Sequence, residues 1–563
     1  MDTTLSYQPD QYYRYDEIVE FLRRAEKTFS NLIRVSSIGK SFQGRDLWLA
    51  EITNTQTGPA DEKPAYWIDA NIHAVEVCGS AVALYTIHYL LTQYGTDSLV
   101  THLLDTRAFY VLPRLSPDGS EHVLTTGKWV RSSVRLYPFP EKKDGLQPAD
   151  VNSDGEILQM RVPDPLGEWK VSTKDSRLLL KRQPDEFGGT YYRLYQEGYF
   201  ENFDGFRLEV PPNPHGLDLN RNFPYEWKPQ DAQSGSGEFP LSESETRAVT
   251  EFFFKHRNIC GALTYHTTSG VILRPYSNQP DTAFPNLDLN IYKALGARGT
   301  DATGYQCVSV YDGFRYDPRK SILGVFDDWV YDHYGVFTFT TELWSIAKQA
   351  GIEVKDFIAF FMDRSEDDEL KILKWQDDRL NSQGFVNWKR FQHPQLGEVE
   401  IGGWRRLYTW VNPPPEFLAE ECQKNMLFSL RHAAASPLLR IRSFAAEPLG
   451  NNVRRLTLIL ANEGWLPTNV SQRALEKKIV RPIQVRLELQ KNMIVTVGKA
   501  KLEIEHLAGT ASTVCQDWVT SAAFGGSSKD TEKKIEWVVQ GQGQIGVIVT
   551  GDRVGVVRAT CQV

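Results

Sequence analysis

His73-Ala74-Val75-Glu76 places two metal-binding side chains three residues apart, and two later segments complete the set. Tyr265-His266 closes an apolar run, and Asp218-Leu219-Asn220-Arg221-Asn222-Phe223 lies between them. Two histidines and a glutamate can hold a zinc ion and leave one coordination position open. An Asn-Arg pair beside such a metal could grip a carboxylate by paired hydrogen bonds. The combination predicts metal-assisted hydrolysis at the C-terminal end of a peptide. A chain with 11 histidines yields about one His-x-x-Glu by chance. The prediction therefore rests on the order of several segments.

The elements that must position these residues read as alternating strands and helices. Residues 46–53, 65–70, 108–112, 260–265 and 336–342 have strand composition, and three of them run directly toward His73, His266 or Glu342. Residues 15–22, 77–94 and 242–256 have helical character, with Ser242 or Ser244 as candidate cap. This alternation predicts an α/β fold, a mixed sheet flanked by helices, with its chemistry at the carboxyl ends of the strands. Residues 139–215 are rich in Pro, Gly and aromatics. They form an excursion, either a wall or lid beside the site or a small hairpin subdomain with its own core. After Pro413-Pro414-Pro415 a helix is expected to about 435. Strand-like runs at 456–461, 483–489, 534–539 and 546–550 then predict an all-β sandwich. The expected domains are 1–435, carrying the chemistry and the excursion, and 436–563, the sandwich.

The segments resemble the zinc carboxypeptidase family of the carboxypeptidase A/B type, over about residues 8–345. Ile38 to Arg45 is similar to the family's approach to its first strands. His73 to Glu76 resembles its first metal motif, Ser116-Pro117-Asp118-Gly119 its Asn-Pro-Asp-Gly turn, and Asp218 to Phe223 its Asp-x-Asn-Arg-Asn segment. Gly237 to Thr246, His266, Asp328-Trp329 and Thr338 to Leu343 follow in the family's order. Carboxypeptidase A is itself a type example of a His₂Glu site, so the ligand set gains no independent support from that comparison. The resemblance implies one zinc ion on His73, Glu76 and His266, with Glu342 as general base. It implies Arg131 as oxyanion partner, with Arg135 as the alternative, and Asn220 and Arg221 on the substrate carboxylate. Tyr316 is the expected tyrosine closing over substrate, with Tyr311 second. Asp327 stands where the family selects the C-terminal side chain, and an acid there favours Lys or Arg. The other reading makes Asp327 a turn residue.

Val75 and Val77 replace the family's usual Arg and Trp, so zinc chemistry transfers more directly than substrate preference. The expected partner is a peptide with a free C-terminal carboxylate. A zinc amidase acting on cell-wall peptides or acyl-amino acids, and a catalytically silent binding protein, are the rival readings. Asp150-Val151-Asn152-Ser153-Asp154-Gly155 copies the start of a calcium loop. Its twelfth position is Arg161, so an Asp-Gly turn is expected rather than calcium. With a net charge of −8 and no basic tract, nucleic acid is not an expected partner. No signal-peptide pattern and no long apolar run are visible. Six scattered cysteines make no disulfide framework, so the expectation is a cytoplasmic protein with no membrane partner. Cys78 is read as a packed apolar residue.

Overall fold

The computed structural model describes residues 5–317, 319–515 and 531–563. The first four residues of the amino terminus, where no signal pattern was read, lie outside the described residues. The central element is a mixed eight-stranded sheet. Its order is Ile33–Lys40, Asp46–Ile52, Ala108–Leu112, Ala65–Ala70, Ile259–Thr267, Phe337–Leu343, Val271–Arg274 and Gln306–Ser309. The four strands from Ala108–Leu112 to Phe337–Leu343 run parallel, so their carboxyl ends share one edge.

Every residue of the Ala65–Ala70 and Ile259–Thr267 strands is buried, because helices cover both faces. Successive side chains point to opposite faces. Tyr66 therefore hydrogen-bonds His432 on helix Pro415–Ala434, while Trp67 packs on Phe253 of helix Ser244–Lys255. Helix Val77–Gln93 lies close against the sheet at Gly79. A Cβ there would stand 3.1 Å from the Tyr265 carbonyl oxygen, so a side chain would need helix and strand to give by a few tenths of an ångström. That closeness brings Glu76, at the start of the helix, to His266. Cys78 is fully buried, as read from the sequence.

The excursion is a subdomain with its own core. Met160, Val162 and Phe200 pack with Val399 and Ile401. The last two belong to a hairpin, Phe385–His393 and Gly397–Trp404, which completes a six-stranded sheet with excursion strands. Sequence reading gave no role to that hairpin. Asp150 accepts from Asp154 N and Gly155 N, closing the expected turn with its own backbone donors.

Two four-stranded antiparallel sheets make up the C-terminal region. One contains Leu439–Gly450, Val453–Asn462, Glu532–Gln540 and Ile494–Val497. The other contains Lys501–Ile504, Ile483–Glu488, Gln544–Gly551 and Gly555–Gln562. Their inner faces share one core, including Leu458, Val485, Trp537 and Val547. Arg553 is buried and reaches out of this region to the eight-stranded sheet. It donates to the carbonyls of Arg257 and Ile259 at 2.7 Å each, and to that of Tyr334 at 2.6 Å. These carbonyls lie at or just before the starts of the His266 and Glu342 strands. All six cysteines are unpaired. Among the described residues, no helix is long and apolar enough to cross a membrane.

Candidate metal centre and substrate cleft

His73 and Glu76 occupy a tight turn between strand and helix rather than a helical turn. Glu76 N–H donates to the His73 carbonyl at 3.2 Å, which sets both side chains on one side. Asn71, at φ 61°, fixes the turn from below by donating to the His73 carbonyl at 2.7 Å. The third member, His266, comes from the carboxyl end of its strand.

The three side chains converge. His73 Nδ1 is 2.8 Å from Glu76 Oε1, and His266 Nδ1 is 3.2 Å from both His73 Nδ1 and Glu76 Oε2. Ligands about 2.0–2.1 Å from a tetrahedral zinc stand roughly 3.3 Å apart, so the donor atoms are already near ligand spacing. His73 Nε2 faces Asp218 Oδ1 at 3.0 Å. That carboxylate fixes the imidazole proton on Nε2 and turns the Nδ1 lone pair to the cluster. Burial lowers the pKa of His266, keeping it neutral as a ligand must be. Glu76 is held below the usual carboxylate range: burial opposes its charge, but His73 and His266 outweigh it. The donor set fits a zinc ion.

Glu342 pairs in register with His266 across the parallel strands. Burial, Glu76 and Asp327 push its carboxyl well above the ordinary range, while Arg131 and Arg221 pull it down. Arg131 lies between the metal cluster and Asp218, with Nη1 3.7 Å from Glu76 Oε1 and Nε donating to Asp218 Oδ2 at 2.9 Å. Arg135 instead forms a two-pronged pair with Glu243, at 3.0 and 2.7 Å. Arg131 is therefore the arginine in the cleft.

Asn220 and Arg221 sit on a single 3₁₀ turn, Leu219–Arg221, capped by Asp218. Asn220 Oδ1 accepts from Phe326 N at 2.9 Å, and Arg221 Nη1 donates to the Asn220 carbonyl at 2.7 Å. Both line one cleft with His73, His266, Glu342, Tyr316 and Asp327. Asp327 is buried and accepts from Thr340 Oγ1 at 3.1 Å. The Asp328 carboxylate accepts instead from the Ser277 N–H, although burial and then Asp327 push its carboxyl up. Tyr316 packs against Phe314 at the cleft, whereas the Tyr311 ring lies under the Arg315 guanidinium. A cavity of about 600 Å³ between helix Asn286–Thr303 and the sandwich holds no part of this cluster.

Asp218 was quoted in its motif but given no role by the sequence reading. Its signal was its place two residues before Asn220, where a short turn returns its carboxylate toward His73.

A zinc carboxypeptidase family model matches residues 18–366. The chain belongs to that family. Residues 438–562 match a second model, described as a domain of unknown function. Carboxypeptidase A6 of Homo sapiens is 26% identical over 352 residues, covering 60% of this chain and 61% of its own length. The chain thus spans under two thirds of that relative. A zinc carboxypeptidase of Saccharothrix mutabilis subsp. capreolus is 32% identical over 118 residues, 21% of this chain and 27% of its own. Among solved structures, thrombin activatable fibrinolysis inhibitor is 17% identical with a TM-score of 0.44. It covers 77% of this chain and 79% of its own.

Proposed function

We propose that this family member is a zinc-dependent metallocarboxypeptidase that releases basic residues from peptide C-termini. The observation that carries the reading is the convergence of His73 Nδ1, Glu76 and His266 Nδ1 beside Glu342, the register partner of His266. A zinc ion on those three ligands would polarise the scissile carbonyl and make a water molecule acidic near neutral pH. Glu342 takes the proton of the attacking water and returns it to the departing amine. Arg131, oriented by Asp218, donates to the oxygen that gains charge on the scissile carbonyl.

Arg221 grips the substrate carboxylate. Asn220 uses its side-chain oxygen on Phe326, so its amide nitrogen is the donor it can offer. An internal peptide bond presents no carboxylate here, which makes the reaction exopeptidic. Tyr316 closes the cleft, and Asp327 pairs with a Lys or Arg side chain at the chain end. We assign the chemistry to residues 1–435 and regard 436–563 as a docked β-sandwich. The unpaired cysteines support a reducing compartment such as the cytoplasm.

The test is release of free amino acid from hippuryl-arginine, hippuryl-phenylalanine and a murein tripeptide by zinc-loaded protein. Hippuryl-arginine should be the best substrate, and Asp327→Ser should remove that preference. Absence of chelator-sensitive release, or equal cleavage of a C-terminal amide, would overturn the reading.

A further inference from the structure

A second cavity, about 330 Å³, opens between the excursion and the segment that runs from helix Pro117–Thr126 to Trp129. His122, Lys128, Lys142, Lys143 and His215 line it together with Trp129. No carboxylate is among its lining residues. Glu141 and Asp144, chain neighbours of two of the lysines, do not line it. None of the three lysines makes an ion pair among the described residues. His122 is shifted down by burial and then by His215, Lys128 and Lys142, and His215 by burial and Lys142. His215 Nδ1 is buried with no hydrogen-bond partner. In a chain of net charge −8, this cavity gathers three lysines with no carboxylate in its lining.

The cavity is joined to the candidate catalytic cleft by the backbone. Arg131 N–H donates to the His215 carbonyl at 3.5 Å, and the Arg131 carbonyl accepts from Ala74 N, next to His73, at 2.9 Å. Lys128 and Trp129 precede Arg131 by three and two residues, so they lie within roughly 10 Å of its backbone. That distance is two or three residues of extended peptide. The polarity of such a peptide is fixed. Asn220, Arg221 and Asp327 enclose the chain end, so whatever leaves the cleft is on the amino side of the scissile bond.

We propose that this cavity is an extended substrate subsite for acidic side chains two to five residues before the C-terminus. The inference rests on the peptidase reading and narrows its substrate class to peptides with an acidic stretch ahead of a basic end. Pro211, Pro212 and Pro214 give the cavity a wall of fixed backbone. Trp129 is 37% exposed and offers an apolar face to the peptide between the charges.

The test is fluorescence anisotropy with labelled hexapeptides that end in Arg and carry Glu, Gln or Lys at their first four positions, two to five residues before the C-terminus. The protein is the zinc-loaded Glu342→Gln chain, which holds peptide without turnover. The Glu peptide should bind about ten-fold more tightly than the Gln peptide at low salt, and the Lys peptide most weakly. The preference should fade at about 0.5 M salt. Combined Lys128→Gln, Lys142→Gln and Lys143→Gln substitutions lie on exposed side chains, and should abolish it. Equal binding of the Glu and Gln peptides, or an intact preference in the triple variant, overturns the subsite. Hippuryl-arginine hydrolysis by the unsubstituted protein reports the peptidase reading separately, because that substrate is too short to reach the cavity.

Discussion

Glu342 and His266 stand side by side, paired in register across two parallel strands. A proposed base and a proposed metal ligand are thus fixed relative to each other by a backbone ladder rather than by loops. Changing the carboxylate alone leaves that ladder intact. Glu342→Gln should lower kcat by about 10²–10⁴-fold with zinc content unchanged. Paired measurements of turnover and bound metal check this. Undiminished turnover with full zinc would remove Glu342 from the chemistry.

Asp218 touches no metal-facing atom, yet it holds His73 Nε2 at 3.0 Å and Arg131 Nε at 2.9 Å. Asp218→Ala frees the imidazole to rotate or change tautomer. Zinc affinity should fall about 10–100-fold, measured by competition with a chelator. Affinity within about two-fold of the parent would deny it that orienting role.

Arg221→Lys keeps the charge and loses the fork. One charge-assisted hydrogen bond is worth about 1.5–3 kcal/mol, so kcat/KM for hippuryl-arginine should drop roughly 10–150-fold. The loss should fall mainly on KM. A pure kcat effect would point to a role at the reacting carbonyl.

Asp69 is buried beneath the site and accepts from Trp67 Nε1 at 2.6 Å and Thr264 Oγ1 at 2.7 Å. Burial pushes its carboxyl up to about 7, against about 3.9 in an unfolded chain. The folded state therefore holds the proton more tightly. Its contribution to stability is full below pH ~4 and is lost as pH rises through ~7. The total is about 4 kcal/mol. Asp69→Asn cannot titrate, so the parent should gain stability over the variant as pH falls from 8 to 4. Denaturant unfolding of both proteins across that range gives the difference, and a constant gap would contradict it.

Much of this was legible because strands in an α/β sheet are short apolar runs with chemistry at their ends. Residues 65–70, 260–265 and 336–342 carried both signals, and their order supplied the ligand set. The hairpin at 385–404 was hidden because its first strand is largely polar and exposed, as at Asn387, Lys389 and Arg390, and the sheet it joins at Gln159–Pro163 lies far earlier in the chain. The choice between Arg131 and Arg135 was equally unreadable. It depends on Glu243, which occupies Arg135 from a distant helix cap. In the sandwich, strands with clean alternation such as Ile483–Glu488 were visible. Edge strands such as Ile494–Val497 were not, since both faces are largely exposed there.

Arg553 gives the eight-stranded sheet a dependence on time as well as space. Its guanidinium satisfies carbonyls at the roots of both the His266 and Glu342 strands, yet the ribosome reaches it roughly 15–60 s after His266. Until then water must satisfy those carbonyls. The proposed metal ligands are therefore synthesised well before the contacts that complete their sheet.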